Sequence, residues 1–173
     1  MSAEVAIRPF HEEADASQVR ELFIVVNRLL SPPPMRDAFE AYIARSLTDE
    51  MDRVAAYYGE RAGGFWVALR EAKIVGMFGL EPAAPDAMEL RRMYVDPSAR
   101  RGGVARSMLR FAEAECRRLD MRRLELSTSE LQPAALELYR HAGYRLLNEA
   151  IAERASNKTL GGGLRRYYFE KVL

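Results

Sequence analysis

Apolar residues recur along this chain with two periods, near two and near 3.6, and the points where one gives way to the other mark its elements. Val5, Ile7 and Pro9 with Phe10 predict a short opening strand. Asp15 or Ser17 is placed to cap a helix running towards Leu30, and Ser31-Pro32-Pro33-Pro34 stops it. From Met35 to about Tyr58, the residues Phe39, Tyr42, Ile43, Leu47, Met51, Val54 and Ala55 keep helical spacing, with a break near Thr48-Asp49. Phe65 to Leu69 and Ile74 to Leu80, either side of a polar turn, predict a β-hairpin. Met88 to Val95 predicts a further strand whose apolar parity changes between Leu90 and Met93, as a bulge or burial on both faces requires. Val104, Met108, Phe111, Ala112, Glu115 and Leu119 follow a helical stripe with only Glu115 polar. Leu124 and Leu126 then read as a strand, Pro133 opens a helix to about His141, and two closing strands follow, joined by the loop 156–163. The order β-α-α-β-β-β-α-β-α-β-β describes a mixed sheet with helices on both faces.

Composition narrows the partners. The chain has 173 residues, 49% of them hydrophobic, enough to bury a core as one domain over 1–173. Its 26 basic and 25 acidic residues leave a formal charge of +1, so no global field draws it to nucleic acid or to an anionic membrane. Any anion site must be local. The single cysteine, Cys116, rules out an internal disulfide framework and a multi-cysteine zinc site, and no metal is expected. Met1 to Phe10 has no basic stretch followed by an apolar run, so the expected location is cytoplasmic.

The local anion site is the loop Arg100-Arg101-Gly102-Gly103-Val104-Ala105, between the Val95 strand and the Val104 helix. Two glycines let backbone N–H groups turn inwards, the helix adds the positive end of its dipole, and Arg100, Arg101 and Arg106 add charge. A tight strand-to-helix turn with solvated arginines accounts for the loop equally well when it is taken alone. No Gly-Lys-Ser/Thr follows, as a P-loop requires, and there is no G-x-G-x-x-G.

The flanks decide between these readings. The segment from Met88 through Arg100 to Ala105 resembles the acyl-CoA signature R/Q-x-x-G-x-G/A of the GNAT superfamily of N-acyltransferases. The segment Leu124 to Tyr144 is similar to that family's second block, which ends L-Y-x-x-x-G-Y/F. The resemblance implies a GNAT-like α/β (α+β) fold, a mixed and mostly antiparallel sheet of about seven strands. It also implies acetyl-CoA as co-substrate and an amine acceptor. The amides of Arg101, Gly102, Gly103, Val104 and Ala105, with Arg106, would hold the pyrophosphate. Met93, Tyr94 and Val95 would serve the pantetheine arm and the thioester carbonyl, where an N–H stabilises the developing oxyanion. Gln132 stands where the family usually has an asparagine. Tyr139 matches the tyrosine that serves the departing sulfur, and Glu89 resembles a family base, with pairing to Arg91 or Arg92 as its structural alternative.

Other residues carry less. Cys116 reads as a small core residue, His141 as solvated or capping, and Phe65 and Trp66 as core. Asp49, Glu50 and Asp52 read as a solvated helix face. Tyr167, Tyr168 and Phe169 suit either a homodimer contact or a sheet interior. Three functional readings stay open: a small-amine or amino-acid N-acetyltransferase, a protein lysine or amino-terminal acetyltransferase, and a non-catalytic acyl-CoA-binding module. Segments around Trp66, Val75 and Ser127 also resemble a branch of the family that acetylates amino-acid amines and cysteine conjugates.

Overall fold

A computed structural model describes residues 4–173. Residues 1–3, part of the stretch read above for a leader, lie outside the described residues. The strands are β1 (Ala6–Pro9), β2 (Gly64–Arg70), β3 (Lys73–Ala84), β4 (Ala87–Val95), β5 (Arg123–Ser129), β6 (Arg145–Ala152) and β7 (Leu164–Val172). The helices are α1 (Glu12–Leu30), α2 (Arg36–Ser46), α3 (Val54–Glu60), α4 (Val104–Arg118) and α5 (Pro133–His141). The strands form one seven-stranded sheet in the order β1-β2-β3-β4-β5-β7-β6, antiparallel except for β4 against β5.

Two apolar cores flank the sheet. Val19, Phe23, Phe39, Ile43, Tyr57 and Tyr58 pack with Val67 and Met77 under α1 to α3. On the other face Met108, Leu109, Ala112 and Cys116 of α4 pack with Phe78, Leu80, Leu124 and Phe169, and Tyr139 of α5 joins them. The interior strand β3 is buried along most of its length, which is why its sequence is a continuous apolar run rather than an alternation. Trp66 stacks on Phe78 at 5.4 Å between ring centroids, and Phe65 is buried, so both are core as expected.

Two expectations shift, and a third takes definite form. Helix α1 starts at Glu12 with His11 as its flanking residue, and Asp15 serves that start from inside the helix, accepting the His11 backbone N–H at 2.8 Å while paired with Arg8. The buried stripe of α4 is rotated, with Leu109 and Glu113 inside; Glu115 pairs outside with Arg118. The break near Thr48-Asp49 is a single π-helical turn, Leu47–Met51, a form frequent at functional sites. Phe169 is buried in the sheet and Tyr168 is exposed.

Candidate functional site

The site begins with a strand that changes neighbours. The parallel register of β4 with β5 runs from Ala87↔Arg123 to Leu90↔Leu126 and stops. Beyond Leu90 the β5-facing edge of β4 has no strand partner among the described residues. On the other edge Gly79 faces Arg91 and Met77 faces Tyr94, so the single residue Phe78 of β3 opposes two of β4, Arg92 and Met93. That is a bulge, one of the two explanations the parity change allowed. Its extra residue, Arg92, has φ of +56°, a left-handed conformation uncommon for a non-glycine residue.

What holds this backbone is charge. With the pleat broken, Arg91 and Arg92 both turn into the face under α2 and α3, where Glu50 receives them at 2.9 and 3.0 Å. Tyr58 donates its hydroxyl to the same carboxylate at 2.8 Å, and Arg92 also donates to the Tyr42 hydroxyl. Glu50 is fully buried and sits on the π turn. Burial alone would push its carboxyl up, but Arg92 and Arg91 outweigh that and hold it below the usual carboxylate range. Any side chain at Gly79 would collide with the Tyr58 ring, so close is the approach of β3 to α3. The reading of Glu50 as part of a solvated face is therefore wrong. The sequence did hold a signal: Glu50 lies three positions after Leu47 and seven after Ile43, a lone charge on an apolar stripe.

Where β4 leaves β5 a cavity of about 110 Å³ opens. Glu89, Met93 and Tyr94 line it from β4, Ser127 and Ser129 from β5, Gln132 and Tyr139 from α5 and its start, and Asn157 to Leu160 from the loop before β7. The two residues assigned to proton transfer, fifty positions apart in the chain, thus share one space. Glu89 pairs with Lys158 at 2.8 Å, not with Arg91 or Arg92. Asn157 gives its carbonyl to Arg92, which ties the loop 156–163 to the buried cluster. No sequence motif flagged Asn157 or Lys158, because their roles depend on a contact across the fold. Tyr139 is 6% exposed, and burial, with Tyr94 adding to it and Arg166 opposing it, pushes its phenol well above the usual tyrosine range. It keeps its proton at neutral pH and can give it up only to a strong base. Gln132 precedes α5 with its side-chain oxygen accepting from Thr128.

The loop of the anion site has a different character. Arg101 and Gly103 both have positive φ, +64° and +79°, with Gly103 directly preceding α4. Alternating handedness of this kind turns successive N–H groups towards one point, and those of Val104, Ala105 and Arg106 have no partner within the helix. The Arg70 side chain approaches the Gly102 carbonyl at 3.4 Å. Arg100, Arg101 and Arg106 are exposed. A groove lined by Arg106, Arg110, Ala134, Glu137, Leu138 and His141 runs between α4 and α5. His141 faces it and bonds the Glu137 carbonyl through Nδ1 at 2.9 Å, a local capping contact. Cys116 is buried, and burial pushes its thiol up to about 11, so it is no thiolate nucleophile at neutral pH. Among the described residues no cluster of three metal-ligating side chains forms, and no helix is long and apolar enough to cross a membrane.

Comparison with known proteins bears on family and fold. Residues 32–144 match the acetyltransferase (GNAT) family. The chain is 32% identical over 109 residues to N-acetyltransferase 8 of Homo sapiens, covering 60% of this chain and 48% of the relative. It is 30% identical over 116 residues to N-acetylaspartate synthetase of Danio rerio, covering 66% and 41%. It thus spans about half the length, or less, of these two relatives. The fold is that of the PaiA N-acetyltransferase from Thermoplasma acidophilum, solved in complex with coenzyme A, with a TM-score of 0.70 at 15% identity over 98% of this chain and 99% of that one.

Proposed function

Because this chain belongs to the acetyltransferase (GNAT) family, we propose that it transfers acetyl directly from acetyl-CoA to the primary amine of a small or amino-acid-like acceptor within a ternary complex. The observation that carries this reading is the meeting of Glu89 and Tyr139 in one cavity, at the point where β4 parts from β5.

Each part of the site has a task in that reaction. The inward amides from Arg101 to Ala105, with Arg106, suit a pyrophosphate, and the exposed arginines add attraction. The free edge of β4 at Met93 and Val95 offers backbone groups to an extended amide chain, and an N–H there opposes the charge growing on the thioester oxygen. Glu89, directly or through a water, takes the proton the amine must lose to become a nucleophile. The amine nitrogen forms the new bond to the acetyl carbon, the carbon–sulfur bond breaks, and Tyr139 supplies the proton that leaves the sulfur as a thiol. Burial keeps the phenol protonated, with its hydroxyl available to the departing sulfur. Cys116, inaccessible and protonated, is outside the reaction, which favours direct transfer over an acyl-enzyme.

The test is thiol release from acetyl-CoA across a panel of small amines, amino acids, and peptides with free lysine or amino-terminal amines. Release with small acceptors supports the reading. Release only with peptides identifies a protein acetyltransferase, and cofactor binding without release for any acceptor identifies a binding module.

A further inference from the structure

One charge in the cavity is left over. Three of its cations are neutralised: Arg91 by Glu50 and Glu81, Arg92 by Glu50, and Lys158 by Glu89 with Glu81 at 3.9 Å. The fourth cation lining it is Arg166, which among the described residues takes part in no ion pair. Its guanidinium donates one hydrogen bond, to Ser127 Oγ at 2.8 Å, out of five donors. Glu81 is shared with Arg61 as well, at 3.9 Å. Among the described residues Arg166 is thus the cation of the cavity lining without a carboxylate partner.

The placement of Arg166 is built by the strand. It pairs with Ser129 of β5 and lies two positions from Leu164, so both project from the same face of β7; Leu164 is buried in the core under α1 to α3 and lines the cavity too. Its neighbour Arg165 points the other way, is exposed, and is neutralised by Glu149 at 3.0 Å. Two adjacent arginines of one strand therefore have opposite fates. The outer one is a surface ion pair, and the inner one is half-buried beside Tyr139, whose phenol feels its charge. A half-buried guanidinium with unused donors is a recognition group for a planar anion, and carboxylate is the anion its fork fits in two parallel bonds.

On the reading that this cavity receives the acceptor, we infer that Arg166 is a specificity-determining residue that binds the carboxylate of an amino-acid acceptor. The acceptor's amine is directed to Glu89, where it takes the place of the Lys158 ammonium. The acceptor's ionised carboxylate supplies the anion that Arg166 lacks, and the proton that its amine loses passes to Glu89. The loop lysine keeps Glu89 paired until the acceptor arrives.

Initial rates with acetyl-CoA and a panel of amino acids, each beside its decarboxylated amine and its α-amide, test this. The expected result is that at least one amino acid exceeds both its partners at least tenfold in kcat/KM. Arg166→Gln raises the KM for that amino acid about a hundredfold, with little change for the amine partner or for acetyl-CoA. Arg166→Lys, which keeps the charge and the fold but not the fork, recovers part of the loss. Equal rates for amino acids and their amines in the wild type overturn the inference while leaving acetyl transfer intact. So does an Arg166→Gln variant that loses both acceptor types equally, or one whose KM rises for acetyl-CoA instead. Absence of thiol release with every acceptor overturns the underlying reading as well.

Discussion

The two ends of the opening between β4 and β5 both concentrate arginine, and they use it in opposite ways. At the bulge Arg91 and Arg92 are buried, and each is matched to a carboxylate, so their charges cancel internally and hold a left-handed backbone in place. At the loop before α4, Arg100, Arg101 and Arg106 are exposed, and backbone N–H groups rather than side chains converge. Burial makes pairing compulsory, because an unpaired buried charge costs several kcal/mol. Exposure leaves charge free to attract a ligand at little cost. Balanced clusters shape a site, whereas unbalanced ones bind something.

The most severe way to break that contrast is to remove the hub. Glu50→Ala leaves two buried guanidinium groups without their carboxylate and should destabilise the fold by about 3–5 kcal/mol, read in urea unfolding; a loss of well under 1 kcal/mol would show that the cluster is not structural. Between the two regions stands Tyr139. Tyr139→Phe should lower kcat about a hundredfold with the KM for acetyl-CoA nearly unchanged, as loss of a proton donor does, and an unaltered kcat would remove it from the chemistry.

At the loop, Gly103→Ala forces a Cβ into a left-handed position at a cost of about 1–2 kcal/mol and should raise the KM for acetyl-CoA about tenfold while kcat at saturation holds. Ionic strength sharpens the contrast without mutation. Raising salt from about 0.05 to 0.5 M should weaken coenzyme A binding several-fold in calorimetry through the exposed arginines, with no comparable change in stability from the screened-off buried cluster. The smallest effect is acid dependence. The Glu50 carboxyl lies below its unfolded value, so its stabilisation is complete above about pH 4 and is lost as pH falls through the folded value; the stability gap between wild type and Glu50→Gln should narrow on acidification below that point.

Much of this was legible in the residues. The parity change between Leu90 and Met93 pointed to a bulge or a strand buried on both faces, Gly102-Gly103 to the loop, and the spacing of apolar residues to the helices, because these depend on neighbours within a few positions. The buried polar hub was not. Glu50 meets Arg91 and Arg92 forty-one and forty-two positions away, and one-dimensional spacing does not register which charge will be enclosed. Glu89 shows the same limit, since Lys158, which pairs with it, comes from a loop that returns across the sheet, whereas Arg91 and Arg92 were its near neighbours in the chain.

By itself, then, the sequence determined the strand and helix order and the glycine loop before α4, set by local periodicity and by glycine and proline chemistry, and its resemblance to a family singled out Tyr139. Tertiary structure alone decided which charges are neutralised. An ion pair forms where the fold brings two side chains within reach and excludes water, and that same closure left Arg166 the odd cation in the cavity.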